Sequence, residues 1–111
     1  MEGSKALEVV VSRQFNIDLY EVFEYGAETF GFTQAKMYEG EIWQLIEGLS
    51  TNYLLFPECR YIPTKSKMYR WIILDSHLLI YRVTKTKVQV LRLIHSKRSI
   101  TKVKTVRKIR F

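Results

Sequence analysis

An α+β domain, with a two-helix hairpin packed on a mainly antiparallel twisted sheet, is what this sequence predicts. The prediction rests on three features of the chain. Between Met68 and Arg98 lie three short apolar runs: Arg70–Leu74 (R-W-I-I-L), Leu78–Val83 (L-L-I-Y-R-V) and Val88–Ile94 (V-Q-V-L-R-L-I). They are separated only by Asp75-Ser76-His77 and Thr84-Lys85-Thr86-Lys87, lengths that suit antiparallel hairpins. From Phe15 to Leu49 the apolar residues instead recur at helical spacing, and a β-branched run, Leu7–Val11, precedes both regions.

Taken in order, Leu7–Val11 (L-E-V-V-V) predicts a first strand that ends at Ser12, whose hydroxyl is suited to cap the helix that follows. Phe15, Leu19, Val22, Phe23 and Gly26 fall at i, i+4, i+7, i+8 and i+11, one face of a helix, and Asp18, Glu21, Glu24 and Glu28 lie mostly on the other. Gly31 can adopt positive φ and stop this helix. Thr33 then reads as the cap of a second helix, with apolar positions Ala35, Tyr38, Ile42, Leu45, Ile46 and Leu49 and a two-residue link. Met37 and Trp43 flank that stripe. Residues 50–67 have loop chemistry: Pro57 and Pro63 exclude central strand positions, and Cys59–Ile62 suits a short edge strand.

The middle run of the meander, apolar on both faces apart from Arg82, predicts a central strand covered on one side. In the third run strict alternation puts Gln89, Leu91, Leu93 and His95 on one face and Val88, Val90, Arg92 and Ile94 on the other. Beyond it, Ile100, Val103, Val106 and Ile109 recur every three residues, compatible with a short helix, while Thr101, Thr105 and the valines lower helix propensity. The expectation is a tail that is mobile until it meets a partner. The resulting division is 1–6, a flexible or vector-derived leader; 7–98, the domain; and 99–111, a basic C-terminal tail.

A chain of 111 residues supports one core, and its 47% hydrophobic content is ordinary for a globular protein. No run approaches the roughly 18 apolar residues of a membrane span, and no signal-peptide core is present, so a cytoplasmic protein without membrane contact is expected. The single cysteine, Cys59, reads as a buried thiol, and no metal-ligand spacing accompanies it, so neither metal nor cofactor is expected. Residues 1–59 carry 3 Lys and Arg against 10 Asp and Glu, a net −7, whereas residues 60–111 carry 15 against 1, a net +14. That separation predicts a basic sheet face or edge directed at an anionic partner.

Glycine-rich phosphate loops, nucleophile elbows and paired metal histidines are absent. The sheet half instead interleaves Arg60, Lys65, Lys67, Tyr69, Arg70, Trp71, Tyr81, Arg82, Arg92, His95 and Arg98. Cations among stackable rings are one footprint of RNA binding. They are equally what exposed strands need to discourage edge pairing. Arg82 and Arg92 interrupt apolar strands, so each requires an acidic neighbour or a wet groove, with Glu39, Glu41, Glu47 or a partner protein as the source.

Taken together, the opening strand, the helices S-R-Q-F-N-I-D-L-Y-E-V-F-E-Y-G and Q-A-K-M-Y-E-G-E-I-W-Q-L-I-E-G-L, Pro57, and the strands Y-R-W-I-I-L-D-S-H-L-L-I-Y-R-V and V-L-R-L-I-H-S-K-R resemble the RelE/ParE superfamily. These are toxins of bacterial type II toxin-antitoxin systems, also called plasmid-stabilization or addiction modules. The resemblance spans about Leu7 to Arg98, and its most specific part is the pair I-Y-R-V and V-L-R-L-I-H-x-x-R. It implies a β-α-α-β-β-β fold, growth inhibition, and neutralisation by an acidic cognate antitoxin that wraps the toxin as an extended strand and helix in a hetero-oligomer.

RelE-like members cut messenger RNA on the ribosome with a basic cluster on the sheet; ParE-like members lack that cluster and poison DNA gyrase. Here Tyr69, Trp71 and Leu78 occupy the positions at which the resemblance would place RelE's lysines and arginine, which favours a ParE-like, non-enzymatic toxin. The endonuclease reading gives Arg70, Arg82, Arg92, His95 and Arg98 roles in charge stabilisation and proton transfer. A third reading is a degenerate, non-toxic protein-binding module. Across these readings the expected contact residues for target or antitoxin are Arg60, Lys65, Lys67, Arg70, Trp71, Tyr81, Arg82, Arg92, His95, Lys97 and Arg98, with Arg82, Arg92, His95 and Arg98 as the catalytic candidates.

Overall fold

The structure is a computed structural model, and it describes residues 5–97 and 100–111. Glu8–Val11 (β1), Arg13–Phe30 (α1) and Phe32–Asn52 (α2) are followed by Tyr69–Ile73 (β2), His77–Val83 (β3) and Lys87–His95 (β4). This is the expected β-α-α-β-β-β order. A short helix, Ile100–Lys104 (α3), and a 3-10 turn, Thr105–Lys108, complete the chain. The sheet runs β1-β4-β3-β2, with β1 parallel to β4 and the remaining pairs antiparallel.

Two local signals act as read. The Ser12 hydroxyl accepts the Phe15 N–H at 2.9 Å, capping α1, and donates to the Leu91 carbonyl at 2.7 Å, which fastens the helix start to β4. Gly31, at φ 97° and ψ 157°, is the whole joint between the helices: its N–H closes on Ala27 and its carbonyl receives Ala35 N–H, each at 3.1 Å. It therefore takes the capping position expected of Thr33, and the link is one residue rather than two.

The helical hairpin covers one face of the sheet, where Phe15, Leu19, Ile42, Ile46 and Leu49 pack on Ile72, Leu79, Tyr81, Val88, Val90 and Leu93. The central strand is not bare on its other side. There Leu78, Ile80, Leu91 and Ile94 pack beneath Cys59, Ile62, Val103 and Val106, so the loop of residues 57–68 and the C-terminal segment together form a second layer. The tail thus folds onto its own sheet. Val103 and Val106 supply by burial the stability that its weak helix propensity lacks.

Alternation in β4 breaks at Leu91. Tyr81 pairs with Val90, but Ile80 pairs with Arg92, so one extra residue bulges out. The bulge puts Val88, Val90 and Leu93 toward the helices, and Leu91 and Ile94 toward the second layer, in place of the faces that strict alternation predicts. On the outer edge of β2, pairing falls at Pro57–Cys59 rather than Cys59–Ile62: Cys59 N–H donates to Tyr69 at 2.8 Å and Trp71 N–H to Pro57 at 3.2 Å. The Cys59 thiol is buried, and that burial pushes its pKa up.

Candidate functional site

The bulge explains Arg92. β1 ends at Val11, leaving the β1 edge of β4 without a strand partner from Leu91 onward, and α1 brings Asp18 into the gap. One carboxylate oxygen accepts Leu93 N–H at 3.0 Å and Arg92 Nε at 2.9 Å, and the other accepts Arg92 Nη2 at 2.7 Å. Asp18 is only 5% exposed, so the pair is shielded from water. The acid that satisfies Arg92 is therefore Asp18, not Glu39, Glu41 or Glu47.

Among the described residues Arg82 finds no carboxylate. Its Nε donates to Gln89 at 2.7 Å, Nη1 to the Tyr69 hydroxyl at 3.3 Å, and Nη2 to the Ile109 carbonyl at 3.0 Å, which latches the C-terminal segment to the sheet. Arg70 Nη1 donates to the Phe56 carbonyl at 2.8 Å and holds the chain that leaves α2, while its buried Nε finds no partner among the described residues. Tyr81 is fully buried and donates to the Tyr53 carbonyl at 2.8 Å; burial raises its phenol pKa. Trp71 is buried with its ring edge-on to Tyr61.

Five residues of the expected contact set are thus internal supports: Arg70, Trp71, Tyr81, Arg82 and Arg92. Arg60, Lys65, Lys67, His95 and Lys97 lie exposed, Arg60 over the Tyr61 ring with its guanidinium carbon 5.1 Å from the centroid. Arg98 lies outside the described residues.

Two residues that the sequence reading left out join His95. The hairpin register sets His77 opposite His95, with ring centroids 5.3 Å apart, and α2 delivers Tyr38, whose hydroxyl lies 2.8 Å from His77 Nδ1. The near-symmetric spacing of the two histidines about the β3–β4 turn was the available signal. Burial foremost, and then the charge of His95, lowers the His77 pKa below 6.5; burial foremost, then Asp75 and Glu41, pushes Tyr38 up to about 12. His95 Nδ1 accepts Lys97 N–H at 3.2 Å, leaving Nε2 to carry the proton of the neutral ring. Both imidazoles line two grooves, one of about 370 Å³ and largely apolar, with Leu19, Val22 and Phe23, the other of about 600 Å³ with Glu21, Lys97 and Lys102.

Among the described residues no group of three His, Cys, Asp or Glu side chains is placed to hold a metal, and no helix is long and apolar enough to cross a membrane. What fold and site define is a small basic α+β module that carries a cross-strand histidine pair, and its element order, a strand and a helical hairpin followed by three strands, is the one expected of the RelE/ParE toxins. Residues 9–100 match the family model described as the ParE toxin of the type II toxin-antitoxin system, parDE, so the chain belongs to the ParE toxin family. A solved structure titled as the chromosomal ParDE toxin-antitoxin system from P. aeruginosa shares the fold, with a TM-score of 0.67 and 17% identity over 83% of this chain and 98% of that one. No curated protein matches this chain in sequence.

Proposed function

We propose that this chain is the toxin of a toxin-antitoxin pair and arrests growth by binding a macromolecular target, DNA gyrase, rather than by cutting RNA. An acidic cognate antitoxin holds it inactive. The observation that carries this reading is the fate of the strand arginines. Arg70, Arg82 and Arg92 are engaged within the monomer, and the sheet face away from the helices is covered by the C-terminal segment. A nuclease of the RelE type needs such cations open to a phosphate. The remaining exposed set, Arg60, Lys65, Lys67, His95 and Lys97, together with Arg98, is assigned to contacts with antitoxin or target.

One arrangement favours the endonuclease alternative. His77 and His95, with Tyr38 on His77, bring acid-base groups together beside Lys97 and Lys102. Induction of the toxin in cells separates the readings. Double-strand breaks and filamentation without cuts in translated messages by primer extension are expected; cuts that vanish in His95→Ala would overturn the gyrase reading. Absence of growth arrest would leave only the non-toxic binding module.

A further inference from the structure

The sheet divides the molecule by charge. The helical hairpin on one face, residues 13–52, carries 7 Asp and Glu against 2 Lys and Arg, a net −5. The layer on the other face, residues 57–68 and 100–111, carries 8 Lys and Arg against the single Glu58, a net +7. Glu58 is itself occupied, accepting Thr64 N–H at 3.0 Å. The C-terminal segment contributes five of the cations and no acid. Its valines are pressed into the sheet and Lys104, Arg107, Lys108 and Arg110 are exposed. Because the segment is folded and latched by Arg82, these charges are held in place rather than spread along a flexible tail.

We propose that the C-terminal segment of this layer, through Lys104, Arg107 and Lys108, binds the phosphate backbone of double-stranded DNA, separately from the antitoxin or target contacts assigned to Arg60, Lys65 and Lys67. The division of exposed side chains selects this occupant. Ile17, Tyr20, Tyr25, Phe30, Phe32 and Met37, large exposed apolar residues suited to a protein interface, belong to the acidic hairpin on the opposite side, and the exposed Leu54, Leu55 and Ile73 lie between α2 and β2 or on β2, also outside the cationic layer. In the cationic layer only Ile100 and Phe111 are large, apolar and exposed. A surface of fixed cations, poor in exposed rings for stacking on single-stranded bases, matches the contacts of phosphate recognition. The segment Ile100–Lys108 is about 15 Å long by helical rise. It engages about four phosphates without reading sequence.

The test is fluorescence anisotropy of a labelled 20-base-pair duplex titrated with the purified full chain. With about four phosphates neutralised, raising salt from 50 to 200 mM is expected to weaken binding about 100-fold, and two unrelated duplex sequences should bind alike. Two variants of equal net charge locate the site: Lys104→Gln/Arg107→Gln/Lys108→Gln should lose most binding, and Lys5→Gln/Arg13→Gln/Lys36→Gln should keep it. All six side chains are exposed, and circular dichroism checks the fold of each variant. Lysine acetylation of the wild-type chain supplies an independent readout, in which duplex should protect Lys104 and Lys108 but not Lys36. Absence of binding at 50 mM salt, equal loss in both variants, or uniform protection would overturn the proposal. So would displacement of the duplex by polyglutamate or phosphatidylserine vesicles at equal charge concentration, which would assign the layer to an acidic protein or a lipid surface.

Discussion

Asp18 on α1 grips Arg92 on β4 through hydrogen bonds of 2.7 and 2.9 Å. The same carboxylate receives Leu93 N–H, standing in for the strand that β1 does not extend far enough to provide. Removing Asp18 leaves a largely buried guanidinium and an orphaned amide. Asp18→Ala is expected to cost about 3–5 kcal/mol, a large share of the stability of a small domain. Asp18→Ala with Arg92→Leu should recover part of it, because no buried charge remains. Urea unfolding of the wild-type chain and the two variants measures both effects; a loss below about 1 kcal/mol in the single variant would show that the pair is not structural.

The Arg82 contact with Ile109 predicts a local change. Arg82→Ala should leave the helical hairpin intact and loosen the C-terminal segment, with faster amide hydrogen exchange at Val103, Val106 and Ile109. Exchange that stays slow there would mean that burial of the valines alone retains the segment.

Acid should weaken the fold through His77. Its folded-state pKa lies below 6.5, so the unfolded chain binds the extra proton first. The stability of the neutral ring is complete above pH 6.5 and is lost as pH falls from there toward the lowered folded value. His95 faces this ring across the strands and the Tyr38 hydroxyl meets its Nδ1, while Asp75 and Glu41 act on Tyr38. His77→Gln should flatten the slope of urea midpoint against pH between about 7.5 and 5.5. An unchanged slope would assign it to other groups.

At Gly31 the backbone lies at φ 97° and ψ 157°, a region that side-chain-bearing residues rarely enter. Gly31→Ala has room for its methyl group, so its cost should be conformational, about 1–3 kcal/mol in thermal unfolding.

Much of this architecture was legible because its signals are local. Ser12 sits where a helix needs an acceptor, Gly31 where the chain must turn, and the meander shows its strands by run length and link length. The bulge at Leu91 leaves no mark on composition, and it alone reverses the faces of the strand end. Asp18 looks like one more solvent-facing carboxylate of an amphipathic helix; its partner lies 74 residues away across the fold. The tail reads as weakly helical since propensity says nothing about a sheet face waiting to be covered. For the same reason the need of Arg82 and Arg92 for partners was legible while the partners themselves, Gln89 with the Ile109 carbonyl and Asp18, were not, since only tertiary structure supplies them.

DNA supercoiling by purified gyrase, assayed with increasing amounts of this chain and with RNA-free template, separates a gyrase inhibitor from a ribonuclease. Dose-dependent loss of supercoiling or trapped double-strand breaks is expected. Normal supercoiling at all doses, with cleavage of messenger RNA in a translating extract, would contradict the gyrase reading.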